Sequence, residues 1–146
     1  MAADAFQVYD NWMHEMDGNL INLTSDVFKI ALFDSSFTPN VDAGTGYNTT
    51  NEVATANGYT QGGQTETVAW TEDSTGVFTF DFTTAVWTAS GGSIAARYAI
   101  VYDDTATGKP IVATCLLDNS PADVTATDGN TFTVNTATGI YTITRS

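Results

Sequence analysis

The run Ile94–Tyr102, Ile-Ala-Ala-Arg-Tyr-Ala-Ile-Val-Tyr, constrains the fold of this chain more than any other stretch. In an extended strand Ile94, Ala96, Tyr98, Ile100 and Tyr102 share one face, and Ala95, Arg97, Ala99 and Val101 share the other. A strand with one wet face alternates apolar and polar residues. Small or apolar residues on both faces instead predict a central strand covered on each side. Arg97 is the one full charge in the run, and a buried charge without a partner costs several kcal/mol. The sequence therefore predicts an Asp or Glu partner for Arg97, with a neighbouring subunit's carboxylate as the alternative.

Other strand patterns flank this run. Val27–Phe33 places Phe28, Ile30 and Leu32 inward and Lys29 outward, and Val77–Phe82 places Phe78, Phe80 and Phe82 on one face. Further strands are expected at Gln64–Thr71, Ala85–Thr88, Ile111–Leu117 and Ile140–Thr144. Val124–Thr127 and Thr131–Val134 flank Asp128-Gly129, a two-residue hairpin signal. Abundant threonine suits pleated surfaces. Short strands separated by turns predict a mainly β chain, an antiparallel β-sandwich of jelly-roll or immunoglobulin-like type. With no repeat and no linker, residues 1–146 are expected to form a single domain.

One helix is predicted, over Ala5–Asp17. Phe6, Val8, Tyr9, Trp12, Met13, Met16 and Leu20 fill one arc at about 100° per residue. Asp4 is the expected N-cap and Gly18 the expected stop. Such a helix could close one end of the β domain. It could also be an arm, within residues 1–20, that packs on another subunit, since Trp, Tyr and Met are enriched at interfaces. Residues 40–63 are rich in Gly, Asn and Thr and read as one long loop, with Val53, Tyr47 and Tyr59 as anchors. Loops of this length inside a domain are usually functional or contact-forming.

Seventeen acids against four Lys and Arg give a net charge of −13. That balance repels phosphate backbones and anionic lipid, which argues against nucleic-acid and membrane binding. No stretch is long and apolar enough to be a membrane span. The first residues lack a signal-peptide pattern, so folding in a cytoplasm is expected. Cys115 is the only cysteine, which excludes an intrachain disulfide.

Catalytic signatures are thin. His14 is the only histidine and falls on the polar arc of the predicted helix. Too few Cys and His exist for a zinc site, and no phosphate loop follows from Gly58, Gly62 and Gly63. Asp103 and Asp104 sit at a strand end, Asp118 and Asp123 bracket another loop, and two such acids could serve as acid and base or bind Ca²⁺. Turn-forming roles fit them better, and no calcium-loop spacing is present. The expectation is a non-enzymatic protein without metal or cofactor.

Three blocks together resemble a known family: Val27-Phe-Lys-Ile-Ala-Leu-Phe-Asp-Ser-Ser-Phe-Thr-Pro39, Ala56-Asn-Gly-Tyr-Thr-Gln-Gly-Gly-Gln-Thr65, and Val86-Trp-Thr-Ala-Ser90 through Ala96-Arg-Tyr-Ala-Ile-Val-Tyr-Asp103. Their order is similar to that in small virion structural proteins of tailed bacteriophages. The resemblance implies a capsid decoration or cement protein on the outer surface of the head, made in the bacterial host cytoplasm. Its partners would be the major capsid protein and copies of itself, as a dimer or trimer. A tail or tail-fibre-associated role in host recognition is the alternative. Phe6, Val8, Tyr9, Trp12, Met13, Met16, Tyr47, Tyr59 and Arg97 are the candidate subunit-interface residues.

Overall fold

A computed structural model describes residues 3–44, 46–120, 122–136 and 139–144, with the backbone alone at positions 13 and 70. The chain is mainly β, and every strand pairing is antiparallel. In order come β1 (Gln7–Val8), α1 (Trp12–Asp17), β2 (Phe28–Phe33), β3 (Gln64–Glu66), β4 (Val68–Glu72) and β5 (Val77–Phe82). Next are β6 (Ala85–Thr88), β7 (Ile94–Ala96), β8 (Tyr98–Asp103), β9 (Ile111–Leu116), β10 (Val124–Ala126), β11 (Thr131–Val134) and β12 (Tyr141–Thr144).

The largest sheet has the order β1-β9-β8-β2-β3. β8 lies in its middle and is buried on both sides, as the doubly apolar run requires. Ala99 and Val101 join the main core, while Ile100 and Tyr102 join a second cluster on the opposite face. β2 divides likewise: Phe28, Ile30 and Leu32 face the main core, and Ala31 and Phe33 face the second cluster. Against the main face pack Phe80 and Phe82 of β5, Trp87 of β6, Ile94 of β7 and Phe132 and Val134 of β11. Full burial of each such side chain stabilises by about 1.5–3 kcal/mol.

The run Ile94–Tyr102 is not one strand. It breaks at Arg97, whose backbone N–H donates to the Phe33 carbonyl and whose carbonyl accepts from Leu117. Ile94–Ala96 leaves the large sheet to pair with β10. Gln64–Thr71 also divides, its first part edging the large sheet and its second pairing with β5.

Asp128-Gly129 does not close a hairpin. β10 pairs with β7, and β11 pairs with β6, so the dipeptide turns a corner between two ribbons. The reason is tertiary. Gly129 donates to the Ala89 carbonyl and Gly91 donates to the Asp128 carboxylate, so the corner packs on the matching bend at Ala89–Gly91. Local turn chemistry supplied the bend, and long-range pairing chose the partners.

The predicted helix shrinks to six residues. Its first half is extended because the edge of β9 is open to it. Asp4 donates to the Leu116 carbonyl and Tyr9 to that of Val112, with Gln7 and Val8 opposite Thr114 and Ala113. These backbone bonds replace the turns a helix would have made. Asn11, not Asp4, occupies the N-cap position, and Gly18 ends the helix as expected.

Candidate functional site

The second face of the large sheet is covered by the connection between β2 and β3, which contains the long loop. A polar chain laid across a sheet needs partners for its backbone, and one buried carboxylate organises them. Glu52 is 6% exposed. Its Oε1 accepts from the Tyr59 hydroxyl (2.7 Å) and the Gly62 N–H (2.7 Å), and its Oε2 from the Tyr47 hydroxyl (2.6 Å). The Tyr59 oxygen in turn accepts from the Leu32 N–H at 2.9 Å. Tyr102 reaches from β8 to the Gly62 carbonyl at 2.7 Å, and its ring stacks on Tyr47 with centroids 3.9 Å apart.

The network makes sense electrostatically. Burial, and then the neighbouring Glu52 charge, raises the Tyr47 hydroxyl far above the ordinary phenol range. Tyr59 is raised chiefly by burial, and Tyr102 by burial and then the Asp104 charge. All three phenols therefore stay protonated and act as donors. Hydrogen bonds to a charged acceptor are worth about 1.5–3 kcal/mol each, so a few strong bonds hold the loop alongside the apolar packing of Phe37, Val41 and Tyr47. Bridges Phe33–Glu52 and Gly46–Pro110 pin its two limbs. At Gly63 (φ +69°) a Cβ would lie 2.0 Å from the Ile30 carbonyl oxygen, so only glycine lets the loop return this close to β2.

The candidate residues fall into distinct places. Tyr9, Trp12 and Tyr59 are each 1% exposed and belong to the chain's own core, Trp12 stacking on Phe80 at 5.2 Å. Phe6, Val8 and Met16 are half-buried against the main cluster. Tyr9 and Trp12 are thus packed into the chain's own core, while Phe6 keeps part of its surface exposed. The Met13 side chain lies outside the described residues. Tyr47 is half-buried in the network above. Arg97 donates from Nε to Asp123 at 2.7 Å, so its carboxylate partner lies in the same chain.

Sequence reasoning missed Glu52 altogether, because one acid among seventeen in a polar loop carries no periodic signal. It also missed what the loop presents outward. Between Asp42 and Glu66 the sequence contains one charged residue, Glu52, and that one is buried. Asn48, Thr49, Thr50, Thr55, Thr60 and Gln61 are exposed around it. On a chain of net charge −13, this segment's own exposed side chains are uncharged and rich in hydrogen-bonding groups, with Asp34 and Lys109 at its borders.

The remaining candidates are structural. Asp118 accepts from the Ser120 hydroxyl and backbone N–H, which hold its carboxyl below the usual range. Asp104 bridges Lys29 (2.7 Å) and Lys109 (2.5 Å). Cys115 is buried with its thiol pushed up to about 11 by burial and then Asp4, beside a cavity of about 300 Å³ lined by Phe6, Leu117, Val124 and Phe132. A thiol raised that far is a poor nucleophile at neutral pH. Among the described residues no three His, Cys, Asp or Glu converge to hold a metal ion, and no helix is long and apolar enough to cross a membrane. Comparison of the chain with family models, with curated proteins and with solved structures returned no match.

Proposed function

We propose that this chain is a non-enzymatic virion structural protein, a capsid decoration or cement protein that binds the outside of a bacteriophage head and bridges major capsid subunits. The observation that carries the reading is the uncharged rim of the Glu52-anchored loop. Copies of a protein with charge −13 repel one another, and that repulsion is weakest where the facing side chains carry little charge. A neutral face rich in Thr, Asn and Gln, held rigid by buried bonds, can dock without that repulsion and with little ordering cost. The resemblance of the Val27–Pro39, Ala56–Thr65 and Val86–Asp103 blocks to tailed-phage virion proteins supports the same reading.

Within this proposal the fold is a β-sandwich of jelly-roll or immunoglobulin-like type. The packing of several smaller sheets on one face of the large sheet supports the sandwich. Repetition of the subunit over a capsid makes weak single contacts strong in sum.

The test is binding of purified protein to expanded heads of the phage that encodes it. Bound protein should raise the head's melting temperature, and replacing Thr49 and Thr50 together by Asp should weaken binding without unfolding the chain. Failure to bind mature heads would overturn the reading. Labelling confined to the tail would instead favour a tail or tail-fibre role.

A further inference from the structure

Asp103 ends β8 and is fully buried, 0% exposed. Its Oδ1 accepts from the N–H groups of Thr105 (2.8 Å) and Ala106 (3.0 Å). Its Oδ2 is buried with no donor. The segment pinned beside it, through Val27 bonded to Asp104 and Thr105, carries another acid, Asp26, whose charge acts on Asp103. Asp26 is itself fixed, its Oδ2 accepting from the Asn22 N–H at 2.6 Å and its Oδ1 from the Ser25 hydroxyl at 3.1 Å. Backbone bonds hold the two acids together: Asp104 N–H to the Val27 carbonyl (2.8 Å) and Val27 N–H to the Thr105 hydroxyl oxygen (2.8 Å).

The surrounding charges do not neutralise this pair. Lys29 of β2 and Lys109 of the β8–β9 turn are both engaged by Asp104. Glu66 of β3 lies across Phe28 from Asp103 in strand register and brings a further acid, bonded to the Thr83 hydroxyl. Two neighbouring carboxyl groups need something positive between them. The surface cleft bordered by Asp26 is lined by Leu23, Val27, Glu66 and Val68 but not by Asp103. Among the described residues no third metal-ligating side chain converges on the pair, and a proton fits the gap better than a metal ion.

We propose that Asp26 and Asp103 share one proton and form a pH-operated latch between the Asn22–Val27 segment and the end of β8. With the proton present, one carboxyl donates to the other and the orphaned oxygen is satisfied. When the proton leaves to water, two carboxylates face each other and the Asn22–Val27 segment loosens.

The direction of the pH dependence follows. Burial raises the Asp103 carboxyl, the two backbone N–H groups pull it back, and Asp26 raises it further, to about 6 in all. The folded state then holds a proton that the unfolded chain releases. The latch's contribution is complete below about pH 4 and is lost as pH rises through about 6.

The test is a carboxyl-carbon NMR titration of the full chain, with thermal melts of Asp26→Asn. The titration should show the Asp103 carboxyl carbon stepping near about pH 6. Asn at position 26 offers a permanent donor to the orphaned oxygen. Its melting temperature should exceed wild type by about 3–6 °C near about pH 7.5, and the gap should close near about pH 4.5. The latch is overturned if both acids titrate at or below about pH 4, or if the variant's shift is the same at both pH values. It is also overturned if about 1 mM CaCl₂ stabilises wild type at neutral pH but not the variant, since a cation would then fill the gap. The wild-type titration decides even if the variant does not fold.

Discussion

The two faces of the large sheet are covered in different ways. On the main face, Phe28, Ile30, Leu32, Ala99 and Val101 meet Phe80, Phe82, Trp87 and Phe132 from other strands, and the contact is almost wholly apolar. On the second face Ala31, Phe33, Ile100 and Tyr102 meet Phe37, Val41 and Tyr47 from the long connection. There Tyr47 and Tyr102 join a buried carboxylate in fastening the cover, and Tyr59 reaches the same carboxylate from the main cluster. The first face follows from many interchangeable contacts, each a modest gain in buried area. The second depends on a few directional bonds, each costly to leave unmade. A strand-on-strand core and a loop-on-sheet core thus tolerate change differently, although both bury the same strands.

Removing apolar bulk from the main face should have the largest effect. Phe80 is 0% exposed, stacks on Trp12 and meets Phe28 and Phe82 edge-on. Phe80→Ala should cost about 3–5 kcal/mol of global stability, read from the urea midpoint. A loss under about 1 kcal/mol would mean that the main face is not the dominant core. Glu52→Ala should come next. It leaves the Tyr47 and Tyr59 hydroxyls and the Gly62 N–H without their acceptor, for a loss of about 3 kcal/mol. Its signature should be local loosening of the loop before the sheet unfolds. Tyr102→Phe should be the mildest, about 1 kcal/mol, because the ring still stacks on Tyr47 and only the bond to the Gly62 carbonyl is lost. A Tyr102→Phe loss as large as that of Glu52→Ala would place the network's centre on Tyr102 instead.

The same contrast explains what was legible in the sequence. Alternation marked β2 and β5 because a period of two reports which face is buried, whatever covers it, and β8 was marked by apolar residues on both faces. Val77–Phe82, Ala85–Thr88 and Thr131–Val134 were bounded correctly for that reason. Periodicity misled at the N-terminus. Tyr9 and Trp12 occupy one helical arc, yet they enter opposite clusters, because the open edge of β9 draws the chain into a strand before the helix starts. Turn chemistry at Asp128-Gly129 marked the bend but not the strands on either side of it. Arg97 was expected to be paired or to reach the surface, and it does both, bonding Asp123 in a solvent-exposed pair. Glu52 was invisible, since its importance rests on Tyr47, Tyr59 and Gly62 meeting it only in the folded loop. The proposed pairing of Asp26 with Asp103 was hidden likewise, because the two are 77 positions apart and are brought near by the Phe28–Asp103 register.

Native-state hydrogen exchange on Glu52→Gln tests most directly the claim that one buried carboxylate fastens the loop. The amides of Tyr47, Val53 and Gly62 should exchange about tenfold or more faster than in wild type, while amides within β8 keep their protection. Equal acceleration in the loop and in β8, or no acceleration in either, would contradict the account.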